Sequence, residues 1–385
     1  MKLFVPNQTT DAETRVALVP KSIAKLSKLG AEVVVEKGAG TGAFHSDEEF
    51  EQAGAATGDE SNWSDADVIV TMRPPSLDQI ERMKEGSVLT GMLAPLKHPK
   101  AIKMLAEGKA TSFAMEFIPR ISRAQAMDVL SSQASIAGYV AAILAAESSA
   151  KMFPMMMTAA GTIAPSRVMV IGAGVAGLQA IATAKRLGAV VEAYDVRPAV
   201  KEQVESLGGR FIDLPMTKHD SETEGGYARE QTEDERQQQQ ELMAKHVAAS
   251  DAVITTAAVF GKAPPMLIPK EVVDRMHEGS VIVDLAADVD AGRGNCELTQ
   301  PGKRISVNGA DDGIDGGVTI VGETNLPALA SVHASQMYAN NMLAFLKEFL
   351  AESKVQLTLD DEIQSAAMIT HGGEVVNAMV ADAIK

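Results

Sequence analysis

Short apolar runs alternate with amphipathic helical stretches along most of this chain. In the N-terminal portion, apolar runs predict strands at residues 3–5, 33–35, 68–70, 88–93 and 111–115. Helical patterning fills the intervals near residues 20–29, 47–54, 76–84 and 99–107. Alternation of this kind is typical of a parallel sheet covered by helices on both faces, so the pattern predicts an α/β fold with a doubly wound sheet.

The same alternation returns further along the chain, with strands predicted at residues 168–171, 190–194, 252–255, 281–284 and 318–321. The two portions also share short sequences, since 67–71 resembles 251–255 and 83–88 resembles 276–281. A chain of 385 residues exceeds what one core usually holds. We therefore expect two Rossmann-like, doubly wound domains with a cleft between them. Residues 1–130 plus 326–385, with a returning helix near 335–350, form the first, and residues 131–325 form the second.

A glycine turn follows the apolar run 168–171 and precedes a helical stretch. Gly172 permits the tight turn, Gly174 lets the backbone approach a pyrophosphate, and Gly177 lets the helix pack on the strand. Asp195 ends the next predicted strand, where it would meet ribose hydroxyls and disfavour a 2′-phosphate. The motif predicts that the second domain binds NAD(H). Arg197 favours NADP instead, and a glycine turn that binds no nucleotide is the structural alternative.

Composition narrows the function classes. A net charge of −16 argues against binding to nucleic acid or to an anionic membrane surface. The single cysteine, Cys296, cannot form an internal disulfide and is interpreted as an inert residue in a reducing compartment. The N-terminus lacks the pattern of a signal peptide, so a cytoplasmic location is expected. The uncharged segment 129–146 contains too many polar and small residues for a membrane span and is interpreted as a buried helix.

Two other segments carry distinctive patterns. Methionines at 152 and 155–157 predict an adaptable apolar contact at a domain or subunit interface. Residues 213–240 are polar and charge-rich, and a solvated loop leading into an exposed helix is the structural interpretation. The functional hypothesis is a lid, in which adjacent glycines at 225 and 226 act as a hinge and Tyr227 folds over bound nucleotide.

Polar side chains cluster just before and within the start of the uncharged helix. Gln125, Asp128 and Ser131 or Ser132 lie three or four residues apart, which predicts a shared helical face, with Arg120 just before it. These groups match the donors and acceptors that a nicotinamide carboxamide and its ribose require. Ser122 and Gln125 also have the spacing of a capping box, which is the structural alternative for Gln125.

The sequence shows no Ser/His/Asp triad, Cys/His pair or metal-ligand spacing, and no acid-base group stands out. Hydride transfer between two nicotinamides needs only alignment and the exclusion of water. The missing groups therefore favour that reaction over acid-base chemistry.

Residues 120–133, 153–162 and 172–188 resemble the soluble, NAD(H)-binding alpha-1 component of the proton-translocating NAD(P) transhydrogenase family. Similar features run from residues 15–20 to 322–325, and both of these outer motifs are shared with alanine dehydrogenase. The resemblance implies an oxidoreductase and translocase subunit with Si/Re-specific hydride transfer. NADH bound here would pass hydride directly to NADP⁺ on a partner domain.

The resemblance also implies a set of site residues. Around the nicotinamide and its ribose it places Arg120, Ile121, Ser122, Gln125, Asp128 and Ser131, with Gln125 positioning the ring. The remainder of the NAD(H) site comprises Val175, Asp195, Val196, Arg197, Gly226, Tyr227, Gln239 and Ala258. No metal is implied.

The implied partners are separate NADP-binding and membrane-spanning subunits, which would hold this cytoplasmic chain at the inner membrane, together with a second copy in a homodimer. The competing family is alanine dehydrogenase, in which a lysine and a histidine bind and protonate the oxo acid. Arg73 and Met92 occupy the matching positions, although Arg15 and Asp288 match other residues of that site. A non-enzymatic NAD sensor is the third alternative. Residues 288–295 form an extended loop compared with the family, and the sequence assigns no function to it.

Overall fold

The computed structural model describes residues 1–213, 233–258, 261–308, 317–351 and 354–384. The chain divides into two compact units. Unit 1 comprises Met1–Gln133 and Pro327–Lys385, and unit 2 comprises Ala134–Leu326. The chain therefore leaves unit 1, builds unit 2 and returns to complete unit 1.

Unit 1 begins with alternating strands and helices and ends with the returning C-terminal segment. Its strands are β1 (Lys2–Val5), β2 (Glu32–Glu36), β3 (Ala56–Gly58), β4 (Val68–Val70), β5 (Val88–Gly91) and β6 (Thr111–Ala114). Its helices before the return are α1 (Pro20–Lys28), α2 (Asp47–Gln52), α3 (Leu77–Glu81) and α4 (Pro99–Glu107). Helix α5 (Val129–Ser148) begins in unit 1 and continues into unit 2.

Unit 2 contains a hairpin, β7 (Met156–Thr158) and β8 (Gly161–Ile163), followed by a second alternating series. The strands of the series are β9 (Arg167–Ile171), β10 (Val190–Tyr194), β11 (Arg210–Phe211), β12 (Ala252–Thr255), β13 (Val281–Asp284), β14 (Arg304–Val307) and β15 (Val318–Val321). The helices are α6 (Val175–Arg186), α7 (Lys201–Ser206), α8 (Glu233–Ala248) and α9 (Lys270–Val273).

The returning segment of unit 1 adds a long helix, two small strand pairs and two short helices. These are α10 (Ser331–Leu346), β16 (Leu350–Ala351), β17 (Lys354–Val355), α11 (Glu362–Ala367), β18 (Met368–His371), β19 (Glu374–Val375) and α12 (Ala378–Ala383). The returning helix begins and ends four residues earlier than the sequence predicts.

The sheet of unit 1 has the strand order β19-β18-β6-β5-β4-β1-β2-β3. Strands β1 to β6 pair in parallel, whereas β18 pairs antiparallel with both β6 and β19. On one face, Phe345 and Phe349 pack against Phe113, with ring centroids 5.2 and 5.3 Å away. On the other face, Trp63 packs edge-on against Phe4. Both faces are covered, as the near-continuous apolar strands require.

The sheet of unit 2 has the order β11-β10-β9-β12-β13-β15-β14. Its strands are parallel except for β14, which pairs antiparallel with β15 at the edge. The α/β class and the doubly wound sheets expected from the sequence are confirmed. The antiparallel strands at the edges and the hairpin β7–β8 were not predicted, because they are only two to four residues long and give little periodic signal.

The short sequences that recur in the two units also share a structure. Asp67 accepts a hydrogen bond from the backbone N–H of Lys2 at 2.8 Å, and Asp251 accepts one from Arg167 at 2.8 Å. Each aspartate therefore ties the strand that follows it to the start of the first strand of its own sheet. Gly86 and Gly279 both have positive φ, +77° and +78°, in the turns that precede β5 and β13.

Helix α5 is, within the described residues of the chain, the helix long and apolar enough to cross a bilayer by length and composition alone. In its most apolar 18-residue window, 44% of the residues are buried inside the protein. Core helices of soluble proteins pass the same test, so the helix by itself does not indicate a membrane span.

Candidate functional site

The glycine turn of unit 2 connects β9 to α6. Gly172 has a φ of +98°, and a Cβ atom placed there would lie 2.5 Å from the Oγ1 atom of Thr256. A Cβ atom on Gly177 would lie 1.8 Å from the carbonyl oxygen of Gly172, so the helix can pack on the turn only without a side chain. The geometry agrees with the roles that the sequence suggests for these two glycines.

Gly174 differs from its two neighbours in the motif. A Cβ atom built on it would have no heavy atom within 4 Å, so the space in front of this backbone is open. Gly174 is also the N-cap of α6 and makes no side-chain capping bond. Open space at an uncapped helix N-terminus suits the phosphates of a nucleotide, because the first N–H groups and the helix dipole face it.

Asp195 lies beside this turn and is buried, with 9% of its surface exposed. Its carboxylate accepts hydrogen bonds from the backbone N–H of Ala173 at 2.7 Å and from that of Arg197 at 2.8 Å. The Arg197 guanidinium donates two more bonds to it, at 2.9 and 3.0 Å. Burial raises the pKa of Asp195, but the bonds from Arg197 and Ala173 outweigh burial and hold the pKa below its usual value.

The pairing of Arg197 with Asp195 changes the interpretation of Arg197. Its guanidinium is engaged by a carboxylate two residues away, so its charge is already compensated. Val196, between them, is 76% exposed, and Val175 in the first turn of α6 is 43% exposed. The structure thus collects the turn, the acid and two accessible apolar side chains at the carboxyl edge of the sheet.

Two residues that sequence reasoning missed support this edge. Thr256 follows β12 and donates through Oγ1 to the carbonyl of Gly172 at 3.0 Å. Asn295 accepts from the N–H of Ala257 at 3.1 Å and donates to the carbonyls of Ala257 and Pro265. The exposed Ala258 follows directly, so the loop containing Asn295 fixes the segment on which Ala258 lies. Tertiary hydrogen bonds of this kind leave no periodic signal in a sequence.

The extended loop, 288–295, is anchored at its end by Asp284. This fully buried carboxylate accepts bonds from the hydroxyls of Thr255 and Thr299, at 2.9 and 2.6 Å, and from the N–H of Cys296 at 2.9 Å. Burial raises the pKa of the Cys296 thiol to about 11. A neutral, buried thiol is unreactive, which agrees with the structural interpretation of Cys296.

A third missed residue, Gly138, lies on α5 and belongs to unit 2. A Cβ atom there would lie 2.0 Å from the carbonyl oxygen of Ala176, so a larger residue would displace the start of α6. Helix α5 therefore supports the glycine turn from behind.

The polar segment 120–131 lies in unit 1, and its structure differs from the single helical face that the sequence predicted. Ser122–Met127 form a 3-10 helix whose N-cap is Ile121, with no side-chain capping bond. Asp128 is extended, and α5 starts only at Val129. The shared helical face was therefore wrong, and the capping box between Ser122 and Gln125 is not formed. The spacing could not reveal this, because a 3-10 turn and an α-turn place polar residues similarly over one turn.

Asp128 instead caps α5. Its carboxylate accepts from the backbone N–H of Ser131 at 2.8 Å and from the Ser131 hydroxyl at 2.6 Å. Arg120, Ser122 and Gln125 are exposed, and Ile121 is partly exposed. Of the predicted set in this segment, the structure brings Asp128 and Ser131 into contact and leaves the side chains of the other residues at the surface of unit 1.

Two contacts from the returning segment hold this stretch in place. Asn341 of α10 donates to the carbonyl of Ala126 at 2.8 Å. Arg123 forms ion pairs with Asp361 and with Glu348, the latter at 3.6 Å. Arg123 is thus turned toward the C-terminal segment of unit 1 and anchors the stretch. Neither Arg123 nor Asn341 was assigned from the sequence.

Three predicted residues remain outside this description. Gly226 and Tyr227 lie outside the described residues, as does the lid hypothesis that rests on them. The side chain of Gln239, which belongs to α8, also lies outside what the structure describes.

The positions that match alanine dehydrogenase all lie in described stretches of the chain. Arg73 is exposed after β4, and Met92 is partly buried after β5, where its N–H donates to the Tyr338 hydroxyl at 3.2 Å. Arg15 is buried and forms a two-point ion pair with Glu13, donating at 2.7 and 2.6 Å. Its charge is therefore compensated by a neighbouring carboxylate. Asp288 takes part in the bridge with Arg293 at the start of the extended loop.

Comparison with known proteins agrees with this geometry. Residues 4–137 match the family model "Alanine dehydrogenase/PNT, N-terminal domain", and residues 141–378 match "Alanine dehydrogenase/PNT, C-terminal domain". The chain is 46% identical over 387 residues to the first of the separate chains of NAD(P) transhydrogenase subunit alpha from Rhodospirillum rubrum, covering 98% of each chain. It is 28% identical over 389 residues to an alanine dehydrogenase of Halomonas elongata, covering 100% of this chain and 96% of that one.

A solved structure gives the same result. The crystal structure of transhydrogenase from Sinorhizobium meliloti superposes with a TM-score of 0.87 at 44% identity, covering 98% of this chain and 100% of that one. The glycine turn with its buried acid, the two α/β units and the identity over nearly the whole length lead to one assignment. The chain belongs to the alanine dehydrogenase/PNT family and, within it, to the NAD(P) transhydrogenase subunit alpha proteins.

Proposed function

We propose that this chain is the NAD(H)-binding component of a proton-translocating NAD(P) transhydrogenase, and that it passes hydride directly between NADH and NADP⁺ held on a partner domain. The observation that supports NAD(H) binding most directly is the open space in front of Gly174, at an uncapped helix N-terminus beside the buried Asp195. The pyrophosphate would take the N–H groups of the turn, and Asp195 the ribose hydroxyls.

The acid also supports NAD(H) over NADP(H). A 2′-phosphate would bring a dianion to a carboxylate whose pKa lies below its usual value. Arg197, which would otherwise attract that phosphate, already pairs with Asp195. Val175, Val196 and Ala258 are the accessible neighbours that complete the adenosine side of the site.

The roles proposed in segment 120–131 follow from the family. Arg120, Ile121, Ser122, Gln125, Asp128 and Ser131 surround the nicotinamide and its ribose. The mutual hydrogen bonds of Asp128 and Ser131 fix both side chains at the start of α5, which supports a positioning role. Gln125 is exposed and is proposed to orient the ring for transfer. Direct transfer needs no protein acid or base, only a fixed ring and a dry site.

The name of the relative from Rhodospirillum rubrum describes one portion of a divided alpha subunit, which supports further subunits as partners. We propose an NADP-binding subunit and a membrane-spanning subunit, which would hold this cytoplasmic chain at the inner membrane. A homodimer is also proposed. Its support is the hairpin β7–β8, which exposes 58% of Met155, 72% of Met157 and 48% of Ile163. An exposed apolar hairpin of this kind is typical of a surface that a second chain covers.

The test is stopped-flow absorbance of hydride transfer from NADH to an NADP⁺ analogue, with this chain mixed with a transhydrogenase NADP-binding domain. Rapid transfer that depends on the partner, without alanine oxidation in a parallel assay with NAD⁺, is expected. Alanine turnover without the partner would establish the alanine dehydrogenase alternative. Tight NADH binding without either reaction would identify an NAD sensor.

The role of Gln125 has its own test. Gln125→Asn should slow transfer about tenfold or more, because a shortened side chain misaligns the ring, while NADH affinity changes little. Gln52→Asn, the same substitution on the exposed face of α2 in unit 1, is the matched control. An unchanged rate in Gln125→Asn would remove the orienting role.

A further inference from the structure

Unit 1 contains an open cavity of about 840 Å³. Three loops line it, contributing residues 7–10 after β1, residues 73–77 with Gln79 after β4, and residues 97–101 at the start of α4. The cavity therefore lies outside the carboxyl ends of β1 and β4. Its volume is within the range that small-molecule sites occupy.

The place of the cavity in the sheet is informative. From β1 the chain moves to β2 and β3 on one side, and then returns to β4 on the other side of β1. The carboxyl ends of β1 and β4 are thus the topological switch point of this sheet, where ligands of open α/β sheets bind. Unit 2 has its glycine turn at the equivalent point, between β9 and β12.

The charge of the lining is opposite to that of the protein. Arg73, Lys97 and Lys100 line the cavity together with His98, and its fifteen described lining residues include no Asp or Glu. The whole chain carries a net charge of −16. Clustered cations in a concave surface raise the local concentration of anions, and an arginine can hold an oxyanion through two parallel bonds.

The loop after β1 determines which anions fit. Where unit 2 has glycines, unit 1 has Asn7, Gln8 and Thr9. The Gln8 amide accepts from the N–H groups of Met72 and Arg73, at 2.7 and 3.1 Å, and donates to the Arg73 carbonyl at 2.9 Å. The side chain occupies the space that a dinucleotide pyrophosphate would need near the strand. A compact anion that contacts the basic side chains further out is compatible with this loop.

We propose that unit 1 holds a second ligand site, formed by Arg73, Lys97, His98 and Lys100, that binds a small multivalent oxyanion such as a phosphate ester or a polycarboxylate. Neither Arg15 nor Met92 lines the cavity, so it differs from the oxo-acid position considered for the alanine dehydrogenase alternative. The proposal does not depend on the proposed transhydrogenase function, because it concerns only residues of unit 1.

The experiment is isothermal titration of the full-length chain with inorganic pyrophosphate and, separately, with citrate, at constant low ionic strength and with the unit 2 site saturated with NAD⁺. Arg73→Gln should weaken binding about tenfold and Lys100→Gln about threefold, as loss of charge-assisted contacts predicts. Lys103→Gln is the matched control, because Lys103 is exposed on the same helix but does not line the cavity. It should leave the affinity unchanged.

Each outcome is decisive. Binding of pyrophosphate alone would identify a phosphate site, binding of citrate alone a polycarboxylate site, and either supports the proposal. The proposal is overturned if neither anion binds, if Lys103→Gln weakens binding as much as Lys100→Gln does, or if NAD⁺ abolishes binding. The last result would place the anion at the glycine turn of unit 2. Failure of NADH binding would affect the proposed function but not this result.

Discussion

The two sheets of this protein share a plan and differ where ligands would bind. In both, an aspartate, Asp67 or Asp251, ties the second parallel neighbour to the first strand, and a positive-φ glycine precedes the next strand. At the carboxyl edge of unit 2, the glycine turn leaves open space and a free helix start. At the equivalent edge of unit 1, the Gln8 side chain bridges the two loops. Similar scaffolds thus present different chemistry through a few loop residues.

Two reporters make this comparison measurable. Trp63 is the only tryptophan and lies in the core of unit 1, and Cys296 is the only cysteine and is buried in unit 2. Tryptophan fluorescence and thiol reactivity in urea therefore report the opening of unit 1 and unit 2 separately.

The largest effect is expected for Gly177→Ala. The new Cβ atom would meet the Gly172 carbonyl oxygen at 1.8 Å, so α6 must move away from the turn. We expect a loss of about 3 kcal/mol of stability in unit 2 and no measurable NADH binding. The midpoint of Cys296 alkylation should fall in urea while that of Trp63 fluorescence stays. Equal shifts of both midpoints would show that the two units do not unfold independently.

Gly174→Ala separates binding from folding. Because nothing lies within 4 Å of the new Cβ atom, both unfolding midpoints should stay unchanged. The methyl group would occupy the space proposed for the pyrophosphate, so NADH affinity should fall at least about tenfold, or about 1.4 kcal/mol. Fluorescence titration with NADH measures this. Unchanged affinity would show that the open space at Gly174 is not where phosphate binds.

Asp195→Asn tests the acid that only unit 2 possesses. Loss of the charge should weaken NADH binding about tenfold, and should narrow the preference for NADH over NADPH because the repulsion of a 2′-phosphate is reduced. Titration of both nucleotides against the variant and the parent measures this ratio. A preference that does not change would remove Asp195 from nucleotide selection.

The same residue predicts a pH dependence. Since the pKa of Asp195 in the folded protein lies below the ordinary value of 3.8, its ionised form stabilises the fold. That contribution is present above the ordinary pKa and is lost as the pH falls through the lower, folded pKa. The stability difference between the parent and Asp195→Asn in unit 2 should therefore shrink below pH 3.8. A difference that is constant across the acid range would contradict this.

Gln8→Ala should have the smallest effect, and only in unit 1. The substitution removes three hydrogen bonds to the backbone of Met72 and Arg73. A loss of about 1 to 2 kcal/mol is expected in the Trp63 midpoint, with NADH affinity unchanged. Gln52→Ala, an exposed glutamine on α2, is the control and should be neutral within about 0.5 kcal/mol. If Gln8→Ala altered NADH affinity, the two edges would not be independent.

The sequence by itself determined the class of fold and much of its order. Strands β4, β10, β12, β13 and β15 have the bounds that their apolar runs predict, because parallel strands buried on both faces must be continuously apolar. The glycine turn was also readable, since only glycine tolerates a φ of +98° and a backbone contact at 1.8 Å. The resemblance that led to the family lies in motifs of this local kind.

Only the tertiary structure decided how side chains from distant regions of the chain meet. The bonds of Asn295 to Ala257, of Asn341 to Ala126 and of Arg123 to Asp361 join residues 38 to 238 positions apart, so no periodic pattern predicts them. The break between the 3-10 helix and α5 at Asp128, and the pairing of Arg197 with Asp195, depend on the same packing. Local sequence sets backbone preference, whereas the choice among polar partners is made when the elements pack and water is excluded.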